Sequence, residues 1–167
     1  KRDNITFDIR PRIKDHAYKE EKLELAARSI NSLVEEDAKS LVYVPYTRHI
    51  SEIYEKIEHQ DKVGKYSGRT TAGEKRDTLK SIKDGTKNLV LATKAFGMGI
   101  DIDDIKNVYH FAPTGNVADY VQEIGRVARK PDMTGVASTD FFKEDFRYIK
   151  QLFGMSSIKN YQVKATL

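Results

Sequence analysis

LVLATKAFGMGIDIDD, residues 89–104, is the stretch on which the fold of this chain turns. Leu89 to Ala92 form a short apolar run bounded by polar residues, which reads as a strand. A run with no polar alternation is buried on both faces, as in a parallel sheet covered by helices. Thr93 and Lys94 follow at once, then Gly97 and Gly99, then Asp101, Asp103 and Asp104. Ligands of open α/β sheets gather at the carboxyl ends of strands, which is where Thr93 and Lys94 are expected. Glycine lets backbone N–H groups come close to a phosphate, although a lone Gly-x-Gly reads equally as a turn. The three aspartates read as a metal site or as a solvated turn. With no His or Glu beside them to complete a coordination shell, no metal is assigned.

Working outward, LVYV at Leu41 to Val44 and VYHF at Val108 to Phe111 share this character. Further strands are predicted at Lys62 to Tyr66, Asn107 to Phe111 and Val136 to Phe142, with an alternating edge strand at Ile5 to Arg10. Helical stripes lie between them: Leu23, Ala26, Ala27, Ile30, Leu33 and Val34, then Ile50, Ile53, Tyr54 and Ile57 after a cap at Thr47, then Thr71 to Lys83. Strand and helix alternate every roughly 20 residues, which predicts an α/β fold with helices on both faces of a mostly parallel central sheet.

The chain has 167 residues, 39% hydrophobic and 32% charged, with a net charge of +4. That suits one domain with a sizeable core and a mild leaning towards phosphate-bearing partners. There is no cysteine, which excludes disulfides, thiolate metal sites and cysteine nucleophiles. No apolar run approaches the roughly 20 residues that span a bilayer, and no signal peptide opens the chain, so no membrane partner and a cytoplasmic location are expected. The chain lacks an initiator Met and is expected to be a piece of something larger. Gly64-Lys65 hints at a phosphate loop, but position 59 is His and position 66 is Tyr, so G-x-x-x-x-G-K-[ST] fails. His110, inside an apolar strand, reads as a satisfied core histidine; His16, His49 and His59 read as surface residues.

YVQEIGRVARKPDMTG, residues 120–135, predicts a helix from Asn116, a good N-cap, to Arg129, just before Pro131. At ~100° per residue Val117, Tyr120, Val121, Ile124, Val127 and Ala128 share one sector, while Gln122, Arg126 and Arg129 share a wedge opposite. Such a wedge is either an ordinary polar face or an anion site, arginine being suited to bidentate phosphate contacts.

Together these segments resemble the C-terminal RecA-like lobe of superfamily-two helicases, in particular the RecQ-type DNA helicases, over about Asn4 to Phe153. ATKAFGMGIDI resembles helicase motif V and YVQEIGRVAR resembles motif VI, of the form Q-x-x-G-R-x-x-R. LVYVPYTRHISEI resembles motif IV, and RDNITF is similar to the Arg-x-Asn-Ile opening of this lobe. The resemblance implies a three-layer RecA-like domain over residues 1–155, with 156–167 as an extension or linker. It implies the second motor lobe of an ATP-dependent DNA helicase, inactive alone because ATP and Mg2+ are held mainly by an N-terminal RecA-like lobe of the same polypeptide. Arg129 is then the arginine finger, with Arg126 and Gln122 beside it in the catalytic network. Asp101, Gly97 and Gly99 approach the nucleotide. Thr93, Lys94, Thr47 and Arg48 face the backbone of a single-stranded or unwinding duplex nucleic acid, and Arg76 supports the lobe interface. A non-catalytic RecA-like binding module and an RNA helicase lobe are the alternatives. Departures from the pattern are Ala128 where motif VI usually has glycine, Asp101 where RecQ-type enzymes usually have Asn, and the missing zinc-binding and winged-helix regions.

Overall fold

The computed structural model describes residues 2–97 and 100–149. The expected extension at 156–167 and Gly99 lie outside the described residues. In chain order the elements are β1 (Ile5–Pro11), α1 (Tyr18–Glu35), β2 (Lys39–Tyr43), α2 (Thr47–Tyr54), β3 (Val63–Tyr66), α3 (Ala72–Asp84), β4 (Leu89–Ala92), β5 (Ile105–His110), α4 (Val117–Ile124) and β6 (Gly135–Phe141). Single 3-10 turns at Gln60–Lys62 and Lys143–Asp145 precede β3 and follow β6.

The six strands form one sheet in the order β1-β6-β5-β2-β4-β3, and every pair is parallel. The apolar runs explain this. Val42, Val44, Leu89, Leu91, Tyr109 and Phe111 meet the stripe of α1 (Leu23, Ala26, Ala27, Ile30 and Val34) and Ile50 and Ile53 of α2. Their neighbours Leu41, Tyr43, Val90, Ala92 and Val108 point the other way, onto Ile82 of α3 and the Val127-Ala128 turn. A strand sandwiched between two helical layers has no solvated face, so polar alternation disappears from its sequence.

Local signals set the helix ends. Thr71 and Glu74 form a reciprocal capping box at the start of α3, and Gly85, at φ 81°, closes its end in the left-handed region. Asn116 caps α4 through a bond from the Asp119 backbone N–H, 2.8 Å. Thr47 is not the cap of α2: Tyr46 holds the N-cap place, without a capping hydrogen bond from its side chain.

A buried polar network crosses one edge of the sheet. Lys22, on the apolar stripe of α1, reaches Asp145 at 2.9 Å and sits over the rings of Phe111 and Phe142. Tyr18 also donates to Asp145. Alongside, Asp140 accepts from Arg10 (3.0 Å), Arg12 (2.9 Å) and Tyr109 (2.9 Å). Burial alone would raise the Asp140 carboxyl, but these three donors hold it below the usual carboxylate range. His49 is corrected from the surface to the interior. It is 4% exposed, 4.8 Å from the Phe111 ring, because it is carried on the inner turn of α2. His16 and His59 are exposed as expected.

Candidate functional site

The sheet reverses its direction of travel between β5 and β2. The chain leaves β2 towards β3 on one side and leaves β5 towards β6 on the other. The two exits diverge and open a crevice at the carboxyl edge, the place where open α/β sheets bind ligands. A groove lies in this crevice, lined among others by Thr47, Thr93, Lys94, Gly97, Gln122 and Arg126. Six of the residues singled out from the sequence therefore converge, though they come from three separate loops and helices. Beside it a second hollow is lined by Lys94, Asn116, Asp119, Glu123 and the loop Ala112–Asn116.

The loops explain the convergence. β4 ends at Ala92, and the Thr93 hydroxyl accepts from the Ala95 N–H at 3.4 Å, turning the chain back over the edge. Lys94 is left exposed at the lip. The Tyr43 hydroxyl, from β2, donates to the Phe96 carbonyl at 3.0 Å and fastens this loop from below. Arg48 lies apart from the groove, with its guanidinium 4.9 Å from the Tyr46 ring centre. Arg76 is on the outer surface of α3, beside Leu79, Lys80 and Lys83.

The wedge of Gln122, Arg126 and Arg129 is corrected. α4 stops at Ile124 rather than continuing to Arg129. Gly125, Arg126 and Val127 form tight turns, and the Ala128 N–H donates to Ile105 of β5 at 2.8 Å instead of to the turn behind it. Ala128 has φ 47°, the left-handed region that costs an alanine about 1–2 kcal/mol. This reversal sends the two arginines in opposite directions. Arg126 is 7% exposed and donates to the carbonyls of Ile100 (3.0 Å) and Gly97, so it holds the loop after β4 closed. Arg129 points outward, its side chain 36% exposed and its Nη1 3.6 Å from Asp101 Oδ1. A charge-assisted hydrogen bond is nearer ~2.8 Å, so most of the guanidinium's donors remain for another anion.

The apolar sector of α4 also differs from expectation. Tyr120 and Ile124 face the sheet, but Val117 and Val121 are 77% and 56% exposed. The reason is Glu123, which turns inward to meet His110 at 2.6 Å and rotates the helix about its axis. His110 is stacked on Tyr43 (ring centres 5.5 Å) and packed by Tyr120 (5.0 Å), a core histidine with a partner, as read from the sequence. Sequence reading missed Glu123 and Asp119. Glu123 lies three residues after Tyr120, on the sheet-facing side of α4 where Tyr120 and Ile124 carry the apolar pattern, and Asp119 lines the groove one turn before it.

Of the aspartates after Ile100, Asp104 pairs with Lys39 at 3.1 Å and Asp101 lies beside Arg129. Among the described residues no three His, Cys, Asp or Glu side chains gather as metal ligands, and no helix is long and apolar enough to cross a membrane.

Comparison with known proteins places these features. Residues 21–131 match the family model of the helicase conserved C-terminal domain. ATP-dependent RNA helicase DBP3 of Lodderomyces elongisporus is 33% identical over 137 residues, which is 81% of this chain and 25% of DBP3. ATP-dependent RNA helicase p62 of Drosophila melanogaster is 27% identical over 154 residues, 92% of this chain and 21% of p62. The chain thus spans a quarter or less of the length of these relatives. The C-terminal domain of the DEAD-box protein Dbp5 superposes with a TM-score of 0.70 at 21% identity, covering 94% of this chain and 88% of that domain. Both named sequence relatives are RNA helicases, so they lend no support to the RecQ-type, DNA-directed expectation. With its all-parallel sheet and its match over residues 21–131, the chain belongs to the helicase conserved C-terminal domain family.

Proposed function

We propose that this chain is the second motor lobe of an ATP-dependent helicase or translocase and that the strand it tracks is RNA. The observation that carries the reading is the division of labour at the carboxyl edge. Thr47, Thr93, Lys94 and Gln122 line the groove, while Arg129 stands outside it on an exposed turn with donors to spare. RNA is favoured over DNA because DBP3 and p62 are both ATP-dependent RNA helicases.

In this reading Lys94 and Thr47 hold phosphates of a single strand. Such contacts position the strand without reading its sequence. Arg129 places positive charge where negative charge develops on a transferring phosphoryl group. Asp101 keeps the Arg129 guanidinium in place until the anion displaces it, and Gly97 brings the backbone to the groove beside Arg126. Arg126 braces the groove wall from behind. ATP, when bound, supplies the phosphoryl group and Mg2+ neutralises its oxygens. The N-terminal lobe of the same polypeptide holds most of both, since the described residues here offer no phosphate-cradling loop and no cluster of metal ligands.

The test is Arg129→Ala in the full-length parent. RNA-stimulated ATPase turnover should fall by about 10³-fold, and turnover near the wild-type rate would refute the assignment. Competition of single-stranded RNA against single-stranded DNA of matched length, at one salt concentration, checks the strand.

A further inference from the structure

The turn that aims Arg129 is held from the far end of the chain. Ala128 is the non-glycine residue with positive φ among the described residues. A left-handed alanine persists only where its surroundings over-determine it, and here they do. Its N–H is taken by Ile105 at 2.8 Å. Its carbonyl accepts from Arg2 Nη2 at 2.6 Å and from Asn4 Nδ2 at 2.9 Å. The preceding carbonyl, of Val127, accepts from the same Arg2 nitrogen at 2.6 Å, and the Asn4 amide also reaches the Met133 carbonyl at 2.9 Å. The Asn4 carbonyl in turn accepts from the Gly135 N–H at 2.9 Å. Two side chains flanking Asp3, just before β1, thus grip three carbonyls of the loop between α4 and β6.

The Ala128 carbonyl belongs to the peptide unit that joins Ala128 to Arg129. Fixing that oxygen fixes ψ of Ala128 and hence the direction in which Arg129 leaves the chain. Among the described residues the Arg129 side chain has looser contacts, a 3.5 Å approach to the Gly125 carbonyl and the 3.6 Å pair with Asp101.

We propose that Arg2 and Asn4 are positioning residues for Arg129: the two-residue clamp on the Ala128 and Val127 carbonyls sets the aim of the exposed guanidinium, and turnover depends on it. This rests on the reading of Arg129 as the group that meets the transferring phosphate. The clamp stands in for the glycine that motif VI usually carries at position 128. A glycine adopts the left-handed turn unaided, whereas alanine needs outside support.

The test is a double-mutant cycle in the full-length parent, with RNA-stimulated ATPase as the assay. Asn4→Ala should lower kcat by about 10-fold, the scale of a modest misplacement of a group near the chemistry. KM for ATP should stay within about twofold, because an interaction made only in the transition state leaves ground-state binding alone. In the Arg129→Ala background Asn4→Ala should have no further effect on kcat, since its action passes through the missing guanidinium. Asn4→Ala combined with Ala128→Gly should recover most of the lost turnover. Should Asn4→Ala melt below the assay temperature, Arg2→Gln at an exposed position carries the same cycle. Equal losses from Asn4→Ala or Arg2→Gln with and without Arg129 would overturn the clamp and show a general stabilising role, as would unchanged kcat in either single variant. If Arg129→Ala itself turns over normally, the phosphate reading falls, and the clamp falls with it.

Discussion

Replacing Gly135 with alanine should damage both stability and turnover, and the structure gives the scale. A Cβ built at Gly135, the first residue of β6, would lie 2.2 Å from Val127 Cγ1, 2.9 Å from the Lys106 carbonyl oxygen and 3.2 Å from Ala128 Cβ. Carbon atoms in good contact are about 3.5–4.0 Å apart. The Val127 methyl cannot simply swing away, because Val127 is fully buried and a β-branched side chain has few rotamers. The Lys106 oxygen belongs to β5 and cannot retreat without disturbing the sheet. Overpacking of this kind costs about 1–3 kcal/mol. For a domain of this size each kcal/mol lowers Tm by about 2–4 °C, so a fall of about 2–12 °C is expected. The assay is thermal melting of this chain followed by circular dichroism. Gly68→Ala, where the new methyl meets open space, serves as the control. Because the displaced atoms are the Val127-Ala128 turn itself, kcat of the parent ATPase should fall as well. A Gly135→Ala variant melting within about 1 °C of the parent would show that the turn yields freely and that its geometry does not aim Arg129.

Two further outcomes concern the buried polar groups. Burial, helped by the nearby Arg48, pushes the His49 imidazole down to about 4, below the ordinary value near 6.5. The folded state therefore resists protonation while the unfolded chain accepts it. The stability this provides is complete above pH ~6.5 and is lost as pH falls towards 4, by about 2 kcal/mol at pH 5. Urea unfolding at pH 7 and pH 5 should show that loss in the parent and much less of it in His49→Phe; an identical pH dependence in both would contradict the assignment. Lys22→Met should cost about 3–5 kcal/mol by leaving the Asp145 carboxylate buried without its cation. A urea midpoint corresponding to less than about 1 kcal/mol lost would mean that the pair contributes little.

The strands were legible because each core strand carries its own evidence. Leu89 to Ala92 needed no partner to be recognised, and the observed bounds coincide with the reading. The site was legible in part. Thr47, Thr93, Lys94, Gly97 and Gln122 do line one groove, since the carboxyl edge of a parallel sheet collects the residues that follow its strands. The end of α4 was not legible. Val127 and Ala128 keep the helical spacing of Tyr120 and Ile124, but their apolar surface is spent on the sheet floor and the Ala128 N–H bonds to β5. Periodicity reports which residues are buried, not which backbone groups they bond. Lys22 was invisible for a different reason: its partner Asp145 is 123 residues away, and an isolated lysine on an apolar stripe looks like tolerance.

The edge strand β1 has a consequence for how the molecule is made. Its ladder is with β6, the last strand among the described residues, and Ile5 pairs with Gly135. During synthesis at about 5–20 residues per second, β1 emerges roughly 6–26 s before its partner exists. For that interval the strand carrying Phe7 and Ile9 lacks the neighbour with which it pairs in the fold. Non-local parallel pairing is slow to form because the intervening loop entropy is lost before any contact is gained. The grip of residues 2 and 4 on the Arg129 turn therefore forms only when β1 is in place beside β6.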